Sequence, residues 1–178
     1  MNADDLRSLQ APLKEQYRAD PAAALITLKA SGRIGEGITC NVDTGKAIVE
    51  AGLHPATGGS GMAACSGDML LEALAACAGV TLSAVATSIG VKINDGYVTA
   101  EGDLDFRGTL GVSKEVPIGF QRIRLLFDLE TDASDEQLNT LIRLTERYCV
   151  VYQTLRGSPE INISHRSTPG ADTGSTVE

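Results

Sequence analysis

The feature that most limits what this chain can fold into is the apolar stretch 69–89, in which Glu72 is the sole charged residue. At roughly 20 residues it is long enough to span a bilayer. Thr81, Ser83, Thr87 and Ser88 dilute it, alanine outnumbers leucine, and no basic cluster flanks either end. The expectation is a helix over 67–89, buried on most sides inside a soluble protein, with a subunit interface as one place to bury it. Ser66 is a candidate N-cap, and Asp68 suits the positive end of the helix dipole. Gly90 ends the helix, as glycine commonly does.

The rest of the chain must cover that helix. A length of 178 residues suits one domain, or two small ones packed together. Hydrophobic residues make up 43%, enough for a core. Aromatics are 4% and Trp is absent, so Leu, Val, Ile and Ala must do the packing. A net charge of −8 lacks the basic footprint of a nucleic-acid binder. The N-terminal residues Met1-Asn2-Ala3-Asp4-Asp5-Leu6-Arg7 are acidic early and carry no apolar signal region. The expected location is cytoplasmic and off the membrane, with Cys40, Cys65, Cys77 and Cys149 reduced.

Three segments are expected: a helical arm over 1–23, a domain over 24–165 and a disordered tail over 166–178 rich in Ser, Thr and Gly. Within the domain, 24–30 reads as a strand, 31–37 as a glycine-rich turn, and 38–42 and 47–51 as strands about a turn at 43–46. A Gly/Ser loop over 54–62 leads to the long helix. Further strands fall within 91–106 and 118–129, the latter with Ile123, Leu125, Phe127 and Leu129 on one face. Ser134 and Gln137 form a capping box. It opens a second helix to about Leu155, with Leu138, Leu141, Ile142, Thr145, Cys149 and Tyr152 on one stripe. A last short strand is expected over 161–164. Meander, buried helix, strand pair and amphipathic helix in that order make an α+β class.

Cys77 shares a helix side with Leu70, Leu74, Ala78, Thr81 and Val85. A thiol there, like Cys149 on the second helix, is either a small buried hydrophobe or half of a reacting pair. A reacting pair requires a stabilised thiolate, which attacks a peroxide oxygen, and a second thiol to trap the sulfenic acid as a disulfide. Burial alone raises a thiol pKa, so a cation is needed. Arg33, in the turn Gly32-Arg33-Ile34-Gly35, is the candidate. Cys40 and Cys65 show no pattern. The chain has no Cys-x-x-Cys, and His54 and His165 lie far apart, so no metal site is expected.

The segment Cys65-Ser66-Gly67-Asp68-Met69-Leu70-Leu71-Glu72-Ala73-Leu74-Ala75-Ala76-Cys77-Ala78-Gly79-Val80-Thr81-Leu82 resembles the central-helix signature of the OsmC/Ohr family. Cys149-Val150-Val151 is similar to its second cysteine segment, and Gly32-Arg33-Ile34-Gly35 to its N-terminal arginine turn. The resemblance covers about residues 24–165. It implies an OsmC-like α+β fold, an intertwined homodimer with interfacial sites, and reduction of organic hydroperoxides without metal, haem or other cofactor. On that pattern Cys77 is the peroxidatic thiol, Cys149 the resolving thiol and Arg33 the activating cation. A dithiol, in some members a lipoylated protein, supplies electrons. Peroxidases of the family commonly carry Asn-Pro-Glu ten residues before the first cysteine, and its Glu orients the arginine. Here that place holds Gly67, which leaves Asp68 or Glu72 as substitutes, and Val150 stands where Pro often follows the second cysteine. The match is closer to the general OsmC-like branch than to the dedicated hydroperoxide resistance branch. The expected function is thiol-dependent peroxidase activity in oxidative stress defence. The alternative is a binding protein for an apolar or thiol-reactive small molecule with little turnover.

Overall fold

The computed structural model describes residues 3–34, 40–42 and 51–165. The order is α1 (Ala3–Ala19), β1 (Leu25–Ile34), β2 (Cys40–Val42), β3 (Ala51–Gly52), β4 (Ala64–Cys65) and α2 (Ser66–Ile89). Then come β5 (Asp95–Asp105), the single turn α3 (Phe106–Thr109), β6 (Phe120–Glu130), α4 (Asp135–Tyr148) and α5 (Val150–Gly157). The main sheet has the order β2-β1-β5-β6, antiparallel throughout, and β6 is an edge. β3 and β4 form a short parallel pair. This is the expected α+β architecture.

The sheet forms because its strands alternate. In β5, Val98 and Ala100 are fully buried while Tyr97 between its neighbours is half-exposed. Gly102 has a packing reason: a Cβ there would lie 2.4 Å from the Phe120 ring. Across the inner face lies α2. Its Leu71, Leu74, Ala75 and Ala78 pack with Val98, Ala100 and Cys149. Further along, Leu82, Val85 and Ala86 meet Val91 and Leu141, with Phe127 and Leu129 of β6 against them. Each fully buried leucine contributes roughly 1.5–3 kcal/mol. Among the described residues α2 alone is long and apolar enough to cross a membrane, and half of that stretch is buried within this fold. Gly90 caps it in the left-handed conformation, as expected.

A third cluster docks α1. The buried Tyr17 packs with Ala24, Phe106 and Leu110. Its hydroxyl donates to the Ala56 carbonyl at 2.8 Å, and Gln10 Nε2 donates to Thr57 O at 3.2 Å. The N-terminal helix thus ties down the loop that leads into α2.

Several expectations are corrected. Residues 31–34 are not a turn: β1 runs through Arg33, held by pairing from Leu25 opposite Asp105 to Arg33 opposite Tyr97. The N-cap of α2 is Cys65, with Ser66 already helical. The second helix is not continuous to Leu155. It breaks at Cys149, whose φ of −70° and ψ of 109° are extended, and restarts as α5. Residues 161–164 are not a strand in this chain, and Ile161 and Ile163 are 79% and 93% exposed. The expected strand and turn segments within 35–39 and 43–50, and the tail over 166–178, lie outside the described residues.

Candidate functional site

The break between α4 and α5 places a sulfur at the start of a helix. Ser134 opens α4 with the full capping box seen in the sequence. α4 closes as Cys149 N–H donates to the Thr145 carbonyl at 2.9 Å. Cys149 then turns extended and caps α5, its Sγ accepting from the Tyr152 N–H at 3.5 Å. The first N–H groups of a helix have no partner within it and favour negative charge nearby. Val150 and Val151 supply those groups here, and they point at Cys77.

Cys77 comes from the middle of α2 and is half-buried, while Cys149 is 1% exposed. Both thiols are free, and each sulfur is in hydrogen-bonding reach of the other. Burial works against ionisation of Cys77. The Val151 N–H, the Cys149 thiol, the Thr81 hydroxyl and the Val150 N–H outweigh it, and the Cys77 thiol ionises below the ordinary thiol range. Cys149 goes the other way. Burial pushes it up to about 11 against the help of the Tyr152 N–H, and the Cys77 charge beside it adds to the rise. Ionisation is eased at Cys77 and opposed at Cys149.

Thr81 sits four residues after Cys77, hence on the same helix face. The hydroxyls of Thr87 and Thr145 return to carbonyls four residues back, at 2.8 Å each, whereas the Thr81 hydroxyl reaches sulfur. A hydrogen bond to a charged group is worth about 1.5–3 kcal/mol. Thr81→Val is therefore expected to move the pH at which Cys77 becomes alkylatable upward. The direction follows because the lost donor favours only the ionised form. Thr81→Ser is expected to retain the wild-type profile, and iodoacetamide alkylation across pH, read by intact mass, is the measurement.

The other expected site residues fall elsewhere. Arg33 lies on the exposed face of the sheet and is 59% exposed. It grips the Asp95 carboxylate in bidentate fashion, at 3.1 Å from Nε and 2.6 Å from Nη2, and holds it below the usual carboxylate range. In this chain it does not join the groups that act most on Cys77, and its carboxylate partner is Asp95, not Asp68 or Glu72. Its placement follows from the strand pairing that overrides the glycine-rich turn signal. Asp68 lies in the first turn of α2, where burial raises its pKa and the nearby His54 opposes the rise. Glu72 is half-buried on α2. Sequence reasoning missed Asp95, the role of Thr81, and the two valine amides. The β-branched pair Val150-Val151 directly after a cysteine was the available signal for a helix restart.

Beside the thiols runs a groove of about 560 Å³ between β6, α4 and α5. Leu74, Ile123, Leu125, Ile142 and Tyr152 line it, together with Arg122, Glu146 and Arg156. Leu74 lies one turn before Cys77, and Tyr152 supplies the N–H to Cys149, so groove and thiol pair are neighbours.

An antiparallel sheet wrapped on one long buried helix, with a thiol in that helix facing a second thiol at a helix start, defines a two-cysteine α+β domain. The family model described as OsmC-like protein matches residues 58–164, and the chain belongs to that family. Among solved structures, the fold is similar to that of an OsmC-like hydroperoxide resistance protein from Jannaschia sp. CCS1. The two share 18% identity with a TM-score of 0.58, over 83% of this chain and 96% of that one. It is also similar to an OsmC-like protein from Mycoplasma pneumoniae, at 18% identity and a TM-score of 0.52, over 75% of this chain and 86% of that one. A search of the curated proteins finds no match.

Proposed function

We propose that this chain is a cysteine-based peroxidase that reduces organic hydroperoxides as part of oxidative stress defence in the cytoplasm. The observation that carries the reading is the meeting of Cys77 and Cys149, one favoured as thiolate and the other as thiol. The Cys77 thiolate attacks the terminal peroxide oxygen, the O–O bond breaks, and Cys77 becomes a sulfenic acid while an alcohol leaves. Cys149 attacks that sulfur, a disulfide forms, and the oxygen departs as hydroxide. A dithiol, a lipoylated protein among the candidate donors, returns both cysteines to thiols. In this scheme the start of α5 stabilises the thiolate.

The working unit in this reading is a homodimer. What supports it is the apolar surface left on one chain: Met69, Leu70 and Val80 on α2 are each more than a third exposed, and Val150 is 70% exposed. A second copy gives those side chains a partner, and sedimentation velocity is the direct check.

The test of the chemistry is a disulfide map after one equivalent of tert-butyl hydroperoxide. The expected product is a single Cys77–Cys149 bridge with Cys65 still free. The apolar groove beside the thiols favours a second reading, a binding protein for an apolar small molecule with little turnover. An unchanged thiol count after peroxide would favour that reading.

A further inference from the structure

We infer that Cys149 acts twice, first as the acid that protonates the departing alkoxide and then as the nucleophile that closes the disulfide. The inference rests on the peroxidase reading and adds a step to it. When the Cys77 sulfur bonds to the terminal oxygen of an organic hydroperoxide, the O–O electron pair leaves on an alkoxide. An alkoxide is a poor leaving group until it takes a proton, so a positioned acid accelerates the step.

Two side chains that carry a proton hydrogen-bond the Cys77 sulfur: Thr81 and Cys149. An aliphatic hydroxyl is a much weaker acid than a thiol. The backbone amides of Val150 and Val151 stabilise charge but do not give up protons. The carboxyls of α2 are out of position. Asp68 is nine residues back, about 13 Å along the axis, and Glu72 is five back, roughly 140° round the helix. Cys149 is 1% exposed, so its proton is held within the niche rather than exchanged directly with bulk water. Its thiol, pushed up to about 11, holds its proton until a stronger base appears beside it, and an alkoxide is such a base.

The step balances. The Cys77 sulfur gains an S–O bond as O–O breaks. The Cys149 S–H breaks as the alcohol O–H forms. Cys149 is then a thiolate next to a sulfenic acid. It attacks the Cys77 sulfur, S–S forms, S–O breaks, and hydroxide leaves. Thiolate, thiol and hydroperoxide have become disulfide, alcohol and hydroxide, with two electrons passed from sulfur to oxygen. A dithiol reductant resets the pair. The order has a benefit: the second thiolate appears only after the first has been oxidised, so two negative sulfurs never share the niche. The Tyr152 N–H, 3.5 Å from Cys149 Sγ, stabilises that second thiolate when it forms.

The experiment follows single-turnover oxidation of Cys77 in the full chain and in Cys149→Ser and Cys149→Ala, with tert-butyl hydroperoxide and with peracetic acid. Peracetic acid releases acetate, which needs no proton. A change in Cys77 ionisation multiplies both rates alike, so their ratio isolates the proton transfer. The expected result is a loss of about 100-fold with tert-butyl hydroperoxide in Cys149→Ala, and a far smaller loss with peracetic acid. Cys149→Ser, which keeps the cap on α5 and a weak donor, is expected to fall between. An unchanged ratio across the three proteins overturns the inference and leaves the peroxidase reading intact. Failure of wild-type Cys77 to react with either oxidant overturns both.

Discussion

Replacing Cys77 with serine is expected to bring hydroperoxide consumption down to the rate of buffer alone, a loss of about 10³-fold or more, the scale on which deletion of a nucleophile falls. The physical reason is ionisation. A serine hydroxyl in the same place receives the same amide and hydroxyl donors, but it stays protonated and does not attack an O–O bond. The substitution is close to isosteric, and Cys77 is only half-buried, packed against the core cluster rather than part of its fully buried set. Folding is therefore expected to survive, with a midpoint of thermal unfolding within a few degrees of wild type. Cys65→Ser is the companion control and is expected to keep full activity. Peroxide consumption in a coupled dithiol assay, beside circular dichroism, checks both. Wild-type rates in Cys77→Ser would remove this sulfur from the chemistry altogether.

How much of this was legible in the residues differs from element to element. The long helix was legible within a residue, because an uninterrupted apolar run and a terminal glycine are local signals. So was the start of α4, since a capping box is written in four consecutive residues. The inward face of β6 followed from strict alternation, and Ile123, Leu125, Phe127 and Leu129 do pack inward. The failures share a cause. Arg33 looked like a turn residue because Gly32 and Gly35 flank it, yet pairing with β5 extends the strand through it. The stripe Leu141, Thr145, Cys149, Tyr152 keeps helical spacing across a point where the helix stops. The stop is made by a tertiary gain: Cys149 turns out of the helix to cap α5 with its sulfur, and α5 can then aim its amides at Cys77. Nothing local in the spacing distinguishes that arrangement from about two more turns of helix. Two cysteines were readable as a candidate pair; the helix start between them, whose Val150 and Val151 N–H groups lower the Cys77 pKa, was not.

Cys149→Ser is expected to end turnover while leaving one oxidation event per chain. Cys77 still meets its donors at the start of α5, because serine can accept the Tyr152 N–H in place of sulfur, so a sulfenic acid still forms, more slowly if Cys149 is the acid. With no thiol facing it, that species persists, and a second equivalent of hydroperoxide carries it to the sulfinic acid, which a dithiol does not reduce. Cys65 is a further thiol that could step in, and geometry opposes it. It caps the N-terminus of α2, twelve residues before Cys77 on the same helix. At 1.5 Å per residue the two are about 18 Å apart along the axis, while a disulfide requires Cα atoms within about 7 Å. Bridging them would require several turns of the most buried helix in the fold to unwind. Intact mass of Cys149→Ser after graded hydroperoxide, with a dimedone trap for the sulfenic acid, reads the outcome. Sustained turnover, or a Cys65–Cys77 bridge in place of the sulfinic acid, would mean that α2 opens during the cycle and that the pairing seen between α2 and α5 is not the one that resolves the intermediate.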